Sequence, residues 1–228
     1  EEFNEHMIGH FRSSYLFTMD ETGPKWNGLE GEDDFNKCPH VSFVPRKPEP
    51  VCAEFNDSAC ALSRVMVRME YEKALKYHAA EQYVPELGYN AAMATRLAAP
   101  VRYSNAAVYG DSRFASVKAL FSIWKRFKVH SAWDVKTGTA LYPRKEIQRM
   151  CAKEHSSIVV MQAEIEDRLM YAIGQRRGPS VHTFLTSFGT FIKEVPKRWP
   201  HITSIANAPW TTPSILNTVT EMQPAIDT

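Results

Sequence analysis

Asp20 and Asp111 are the residues whose type and placement could do chemistry. Each sits at, or just beyond, the C-terminal end of a short apolar run that reads as a buried strand. The runs are Ser13 to Met19 (SSYLFTM) and Ala106 to Tyr109 (AAVY). In open α/β sheets, ligands collect at that edge. If the two strands are neighbours, the carboxylates converge on one point. Two like charges in a partly dry site are costly unless a proton or a divalent cation neutralises them. Hard oxygen donors with no His or Cys beside them favour Mg²⁺ or Mn²⁺ over zinc. Paired ions of this kind activate water and stabilise the leaving oxygen of a phosphodiester in many nucleases. The same residues also have an ordinary use: Asp20 opening a turn and Asp111 capping the next helix. Pattern alone favours that ordinary use.

The elements that would position these residues read as follows. Asp20 to Pro24 is a turn signal, and residues 24–50, rich in Pro, Gly and Asp, form a long loop. Val65 to Tyr71 alternates like a half-buried strand. Helices are predicted over Glu72 to Gln82 and Asn90 to Leu97, with Pro85, Gly88 and Pro100 as breaks. Phe114, Val117, Phe121 and Trp124 mark one face of a helix running from Arg113 to Phe127. A strand from Val129 to Val135, a turn at Gly138 and three strand-like runs follow: Ile158 to Met161, Leu169 to Ile173 and His182 to Ser187. A last helix is expected from Pro213 or Ser214.

Composition sets wide bounds. The 228 residues are 44% hydrophobic and 23% charged, which suits a globular chain and excludes collagen-like and low-complexity classes. No apolar run approaches the ~20 residues of a spanning helix, so no membrane partner is expected. Net charge is +1, so any nucleic-acid surface must come from local clustering. Cys38, Cys52, Cys60 and Cys151 have no C-x-x-C spacing and read as free thiols of a reducing compartment. The chain opens at Glu1 without a methionine and stops just after Asp227, which reads as an interior piece of a longer protein.

Several separated motifs, in order, carry a family resemblance. Phe17 to Gly31 (FTMDETGPKWNGLEG) resembles the first catalytic motif of piggyBac-type transposases, in which an Asp-Glu pair ends a strand ahead of Trp-x-Gly. Pro39 to Glu54 (PHVSFVPRKPEPVCAE) is similar to a Pro-His, then Arg-Lys-Pro-Glu-Pro, segment of piggyBac-derived proteins. Ala94 to Leu97 (ATRL) and Tyr109 to Leu120 (YGDSRFASVKAL) resemble the part that carries their second catalytic aspartate. Val135-Lys136-Thr137 with Tyr142 to Lys145 (YPRK) matches the continuation.

That resemblance implies an α/β, ribonuclease-H-like mixed sheet with flanking helices. Residues 1–154 would be the first part of the core, 155–190 a strand-rich insertion and 191–228 the return to the core. Asp20 and Asp111 would be the first two members of an Asp-Asp-Asp triad. Asp227, in Ala225-Ile226-Asp227, matches the start of the third step. Glu164 and Asp167 are the other choices for third ligand, their ordinary use being solvated turns, and Glu21 has at most a supporting role. The implied cofactor is Mg²⁺ or Mn²⁺, two ions. The implied reaction is cut-and-paste strand cleavage and transfer into TTAA targets, in the nucleus. The partner would be DNA, both transposon ends and target, bound by a homodimer.

Basic pairs supply candidate phosphate contacts: Arg46 and Lys47, Lys125 and Arg126, Arg144 and Lys145. Arg176-Arg177 and Lys197-Arg198 are similar pairs. Trp26, Trp133, Trp199 and Trp210 could stack on bases, although core packing is their ordinary use, and His40 could approach DNA. Departures from the family pattern include Asp134 inside a strand, the surroundings of Asp20, and no Cys/His-rich module among these residues. They point to the alternative: a domesticated, catalytically inactive DNA- or chromatin-binding descendant.

Overall fold

The computed structural model describes residues 2–11, 14–31, 37–45, 47–73, 75–136, 139–153, 158–166 and 168–188. Eight strands form one mixed sheet: β1 (Leu16–Thr22), β2 (Phe55–Cys60), β3 (Met66–Tyr71), β4 (Ala107–Gly110), β5 (His130–Asp134), β6 (Ile158–Ile165), β7 (Arg168–Arg177) and β8 (Ser180–Thr186). Their order across the sheet is β6-β7-β8-β5-β4-β1-β2-β3. β1, β4 and β5 run parallel, and every other pairing is antiparallel. The central strands follow the ribonuclease-H-like order, and residues 158–188 extend the same sheet beyond β5.

The pleat divides the apolar residues. Phe17, Met19, Val108 and Trp133 face one side, where they meet α2 (Tyr89–Ala98), α3 (Val117–Phe127) and α4 (Arg144–Lys153). Leu16, Tyr109, Ala132, Ile173 and Phe184 face the other, in a cluster to which no described helix contributes. A further helix, α1 (Glu2–His10), lies against β3, where the Asn4 side-chain amide bonds both the N–H and the carbonyl of Met69 at 2.8 and 2.9 Å. Among the described residues no helix is long and apolar enough to cross a membrane.

α3 shows how local sequence sets an element. The Ser116 hydroxyl accepts from the Ala119 N–H at 3.3 Å and caps the N-terminus. Ala119, Leu120, Ile123 and Phe127 are buried along one stripe. Lys128, at φ 56, closes the helix in the left-handed region. α3 carries the chain from the C-terminal edge of β4 back to the start of β5, as parallel pairing of those strands requires.

Several sequence expectations need correction. The first strand starts at Leu16 and continues through Asp20 to Thr22, because β2 pairs with it along that whole length. β2 itself has no apolar alternation: Asn56, Asp57 and Ser58 are buried in it. The helix expected over Glu72 to Gln82 is reduced to one turn, Leu75–His78, while the Glu72 N–H continues sheet pairing to Glu54 O at 2.8 Å. Arg113 and Phe114 lie in a turn rather than in α3. α1 and α4 were not legible, although Ile147 and Cys151 of α4 are fully buried. The helix expected from Pro213 lies outside the described residues.

Candidate carboxylate site at the sheet edge

β1 and β4 are neighbours, and their parallel register ends at Met19 opposite Gly110. Asp20 and Asp111 are the next residues on each chain. Alternation places Asp20 on the same face as Leu16 and Thr18, and Asp111 follows Tyr109 on that face. β1 then runs on against β2 alone, where Asp20 stands directly opposite Asp57. On the other side β5 ends at Asp134, two residues after Ala132, and Asp134 accepts from the Tyr109 hydroxyl at 2.7 Å. One end of one sheet face therefore gathers Asp57, Asp20, Asp111 and Asp134, from four adjacent strands. Gly110 allows this closeness: a Cβ there would lie 2.9 Å from the Trp133 ring.

Electrostatics follow from that crowding. Burial, with the Asp111 charge added, holds the Asp20 carboxyl above its ordinary range against a hydrogen bond from the Glu21 N–H. Asp57 is pushed up to about 6 by burial and the Asp20 charge, against a hydrogen bond from the Thr22 hydroxyl. Asp134 is raised by burial and by Asp111, with the Tyr109 hydroxyl opposing. Lys47 opposes the rise of both Asp20 and Asp57. Its amine lies 3.1 Å from where a Cβ on Gly23 would stand.

The opposite face of the same edge holds a second set of charges. Arg113 Nη1 donates to Glu21 at 2.7 Å and to Glu54 at 2.6 Å, and Nη2 donates to Glu72 at 2.8 Å. Glu72 also accepts from Asn56 at 2.7 Å and from the Tyr89 hydroxyl at 2.8 Å. Against the burial that would raise it, hydrogen bonds from Ser42 and Arg113 hold Glu54 below the usual carboxylate range. Arg96, from the ATRL motif, is similarly committed to Glu70 and Glu81 at 2.8 and 2.9 Å. Asp57, Arg113, Glu54 and Glu72 were missed as site residues in the sequence. Their one signal is the density of acidic residues flanking β2 and β3.

Of the other described residues singled out, Lys47 is brought to Asp20 and Asp57, and Arg177 lies near enough to Asp134 to oppose the rise of its carboxyl. Lys125 and Arg126 lie in the last turn of α3, beside the N-terminal edge of β5, and pair with Glu166 at 2.9 Å and Glu86 at 2.5 Å. Arg144 and Lys145 open α4, whose Ile147 packs on Gly174 of β7. Glu164 is exposed on the outermost strand, β6. Trp133 is fully buried, so it cannot stack on a base. His40 bonds Glu30 and Tyr71 through its ring and backbone. All four cysteines are free and buried. Asp227, Arg46, Asp167, Lys197, Arg198, Trp199 and Trp210 lie outside the described residues. Among the described residues no three His, Cys, Asp or Glu side chains are arranged to hold a metal ion.

Comparison with known proteins agrees with this architecture. A solved structure of a piggyBac transposase synaptic complex with hairpin DNA superposes with a TM-score of 0.68 at 14% identity. The match covers 99% of this chain and 41% of that one, so the chain spans less than half the length of that transposase. The mixed sheet with flanking helices is thus the fold of the piggyBac transposase catalytic domain. No curated protein sequence matches the chain significantly. The sequence model of the family described as Transposase IS4 matches residues 1–208, most of the chain, and the chain belongs to that family.

Proposed function

We propose that this chain is the catalytic core of a DNA transposase that cuts and joins DNA strands with divalent metal ions. The observation that carries the reading is that Asp20 and Asp111 each directly follow the Met19–Gly110 pair that ends the parallel β1–β4 register. Family membership and the fold shared with a DNA-bound transposase support it.

The donor chemistry fits Mg²⁺ or Mn²⁺: two hard carboxylates, with Asp20 pushed toward protonation by burial and by the Asp111 charge. Asp20 and Asp111 would hold the metal, with Asp227 as the third carboxylate. When bound, two such ions supply Lewis acidity for the attacking and leaving oxygens of a phosphodiester. Lys47 stands where a phosphate approaching Asp20 would meet a cation. TTAA targets, assembly as a homodimer on DNA and work in the nucleus belong to the same proposal.

The test is strand cleavage of labelled transposon-end DNA in Mg²⁺ or Mn²⁺, by the wild type and by Asp20→Asn, Asp111→Asn and Asp227→Asn. Cleavage lost in all three variants supports the reading. DNA binding without metal-dependent cleavage in the wild type would instead identify a non-catalytic binding protein.

A further inference from the structure

Two hydrogen bonds tie the candidate site to the charges on the opposite face of the sheet. Asp20 Oδ1 accepts from the backbone N–H of Glu21 at 2.8 Å. Asp111 Oδ1 accepts from the backbone N–H of Arg113 at 2.7 Å. The side chains of those two donors then meet each other at 2.7 Å. A continuous chain of contacts results: Asp20, Glu21, Arg113 and Asp111. It joins a carboxylate inside a strand to one that has already left its strand.

We infer that the Glu21–Arg113 ion pair is a positioning device that sets the separation and orientation of Asp20 and Asp111. This rests on the metal-dependent reading above and adds a residue pair to it. Asp111 needs such a device because β4 ends at Gly110, so strand pairing with β1 stops before the 111–114 turn. Arg113 supplies the missing tether. Its guanidinium reaches β1 through Glu21, the start of β2 through Glu54 and the end of β3 through Glu72. The side chains of these three acids are 8 to 12% exposed. A planar fork can meet three carboxylates from different directions, whereas a lysine ammonium is a single point charge. Glu54 and Glu72 hold the fork in place, and Glu21 connects it to Asp20, whose carboxylate accepts from the Glu21 N–H.

The ion pair touches neither metal nor substrate, so its effect must appear as metal affinity. The experiment measures the melting temperature of the 228-residue chain against Mn²⁺ concentration. The proteins are the wild type, Arg113→Lys, Glu21→Gln, Glu54→Gln and Glu72→Gln. Arg113→Lys and Glu21→Gln should move the midpoint of the Mn²⁺ response to about tenfold higher concentration, the usual scale for groups that orient metal ligands. Glu54→Gln and Glu72→Gln should lower the melting temperature in chelator and leave the midpoint in place. Should Arg113→Lys fail to fold, Glu21→Gln decides, because it leaves Arg113 paired to Glu54 and Glu72. A wild-type midpoint in Glu21→Gln overturns the inference. So does an equal shift in Glu54→Gln, which would mean that net charge, not position, sets the affinity. Absence of any Mn²⁺ response in the wild type overturns the metal reading itself, and this inference with it.

Discussion

Asp20 and Asp57 stand directly opposite each other across the antiparallel β1–β2 pair. Like charges in that position are destabilising. The cost falls on Asp57, which is buried and held up to about 6. A carboxyl with a raised folded-state pKa contributes stability that is complete below its unfolded value, near 3.8, and is lost as pH rises through about 6. Asp57→Asn should therefore be more stable than the wild type at pH 7, by about 1–3 kcal/mol, since a tenfold change in proton affinity corresponds to ~1.4 kcal/mol. At pH 3.5 the two should melt together. Urea unfolding at both pH values checks this; equal stability at pH 7 would mean that burial and the Asp20 charge together put no penalty on ionised Asp57.

Removal of the repulsion between Asp20 and Asp111 by a cation should also be measurable. A ligand bound only by the folded state at ten times its Kd contributes about 1.4 kcal/mol. In a chain of this size that raises the melting temperature by roughly 3–6 °C. Asp20→Asn and Asp111→Asn should each abolish the Mn²⁺-induced rise and slightly raise the melting temperature in chelator. Glu164→Gln, on the far strand, should keep the rise. A rise that survives in both aspartate variants would place the metal elsewhere.

Gly110 is the last residue of β4, between Tyr109 and Asp111. A Cβ there would meet the Trp133 ring at 2.9 and 3.1 Å and Phe114 Cβ at 3.2 Å, and Trp133 is fully buried. Gly110→Ala should cost about 1–3 kcal/mol, the usual penalty of overpacking. It should also weaken the Mn²⁺ response, since the strand end would have to shift. Chemical denaturation together with the melting assay reads both; a neutral variant would show that the ring moves aside freely.

Placement separates the basic residues as DNA contacts. Lys47 lies by the carboxylates, whereas Lys125 lies by the opposite edge of the parallel strands and is paired with Glu166. Lys47→Ala should lower the slope of log affinity against log salt by about 0.9, the loss of one phosphate contact. Lys125→Ala should leave the slope unchanged for transposon-end DNA. Binding titrations over a range of salt concentrations decide; a slope lost with Lys125 instead would put the DNA on the other edge.

Sequence by itself determined the strands that read as apolar alternation, such as β3, and the helices with a clear stripe and cap, such as α3. The separated motifs around Asp20 and Asp111 also pointed to the fold that the structure shows. Local signals suffice there because the apolar period and the capping residue belong to one segment. Tertiary structure alone decided the rest. β2 is an interior strand with buried Asn56, Asp57 and Ser58, and only pairing on both sides satisfies its backbone. Asp57 and Asp134 join Asp20 and Asp111 because β2 and β5 flank β1 and β4, an adjacency no local pattern encodes. Arg113 looked like the start of a helix and is instead a turn residue, fixed by three carboxylates from distant segments. Basic pairs that look alike in sequence fall at opposite ends of the sheet, because the β4–α3–β5 crossover carries the chain from one edge to the other.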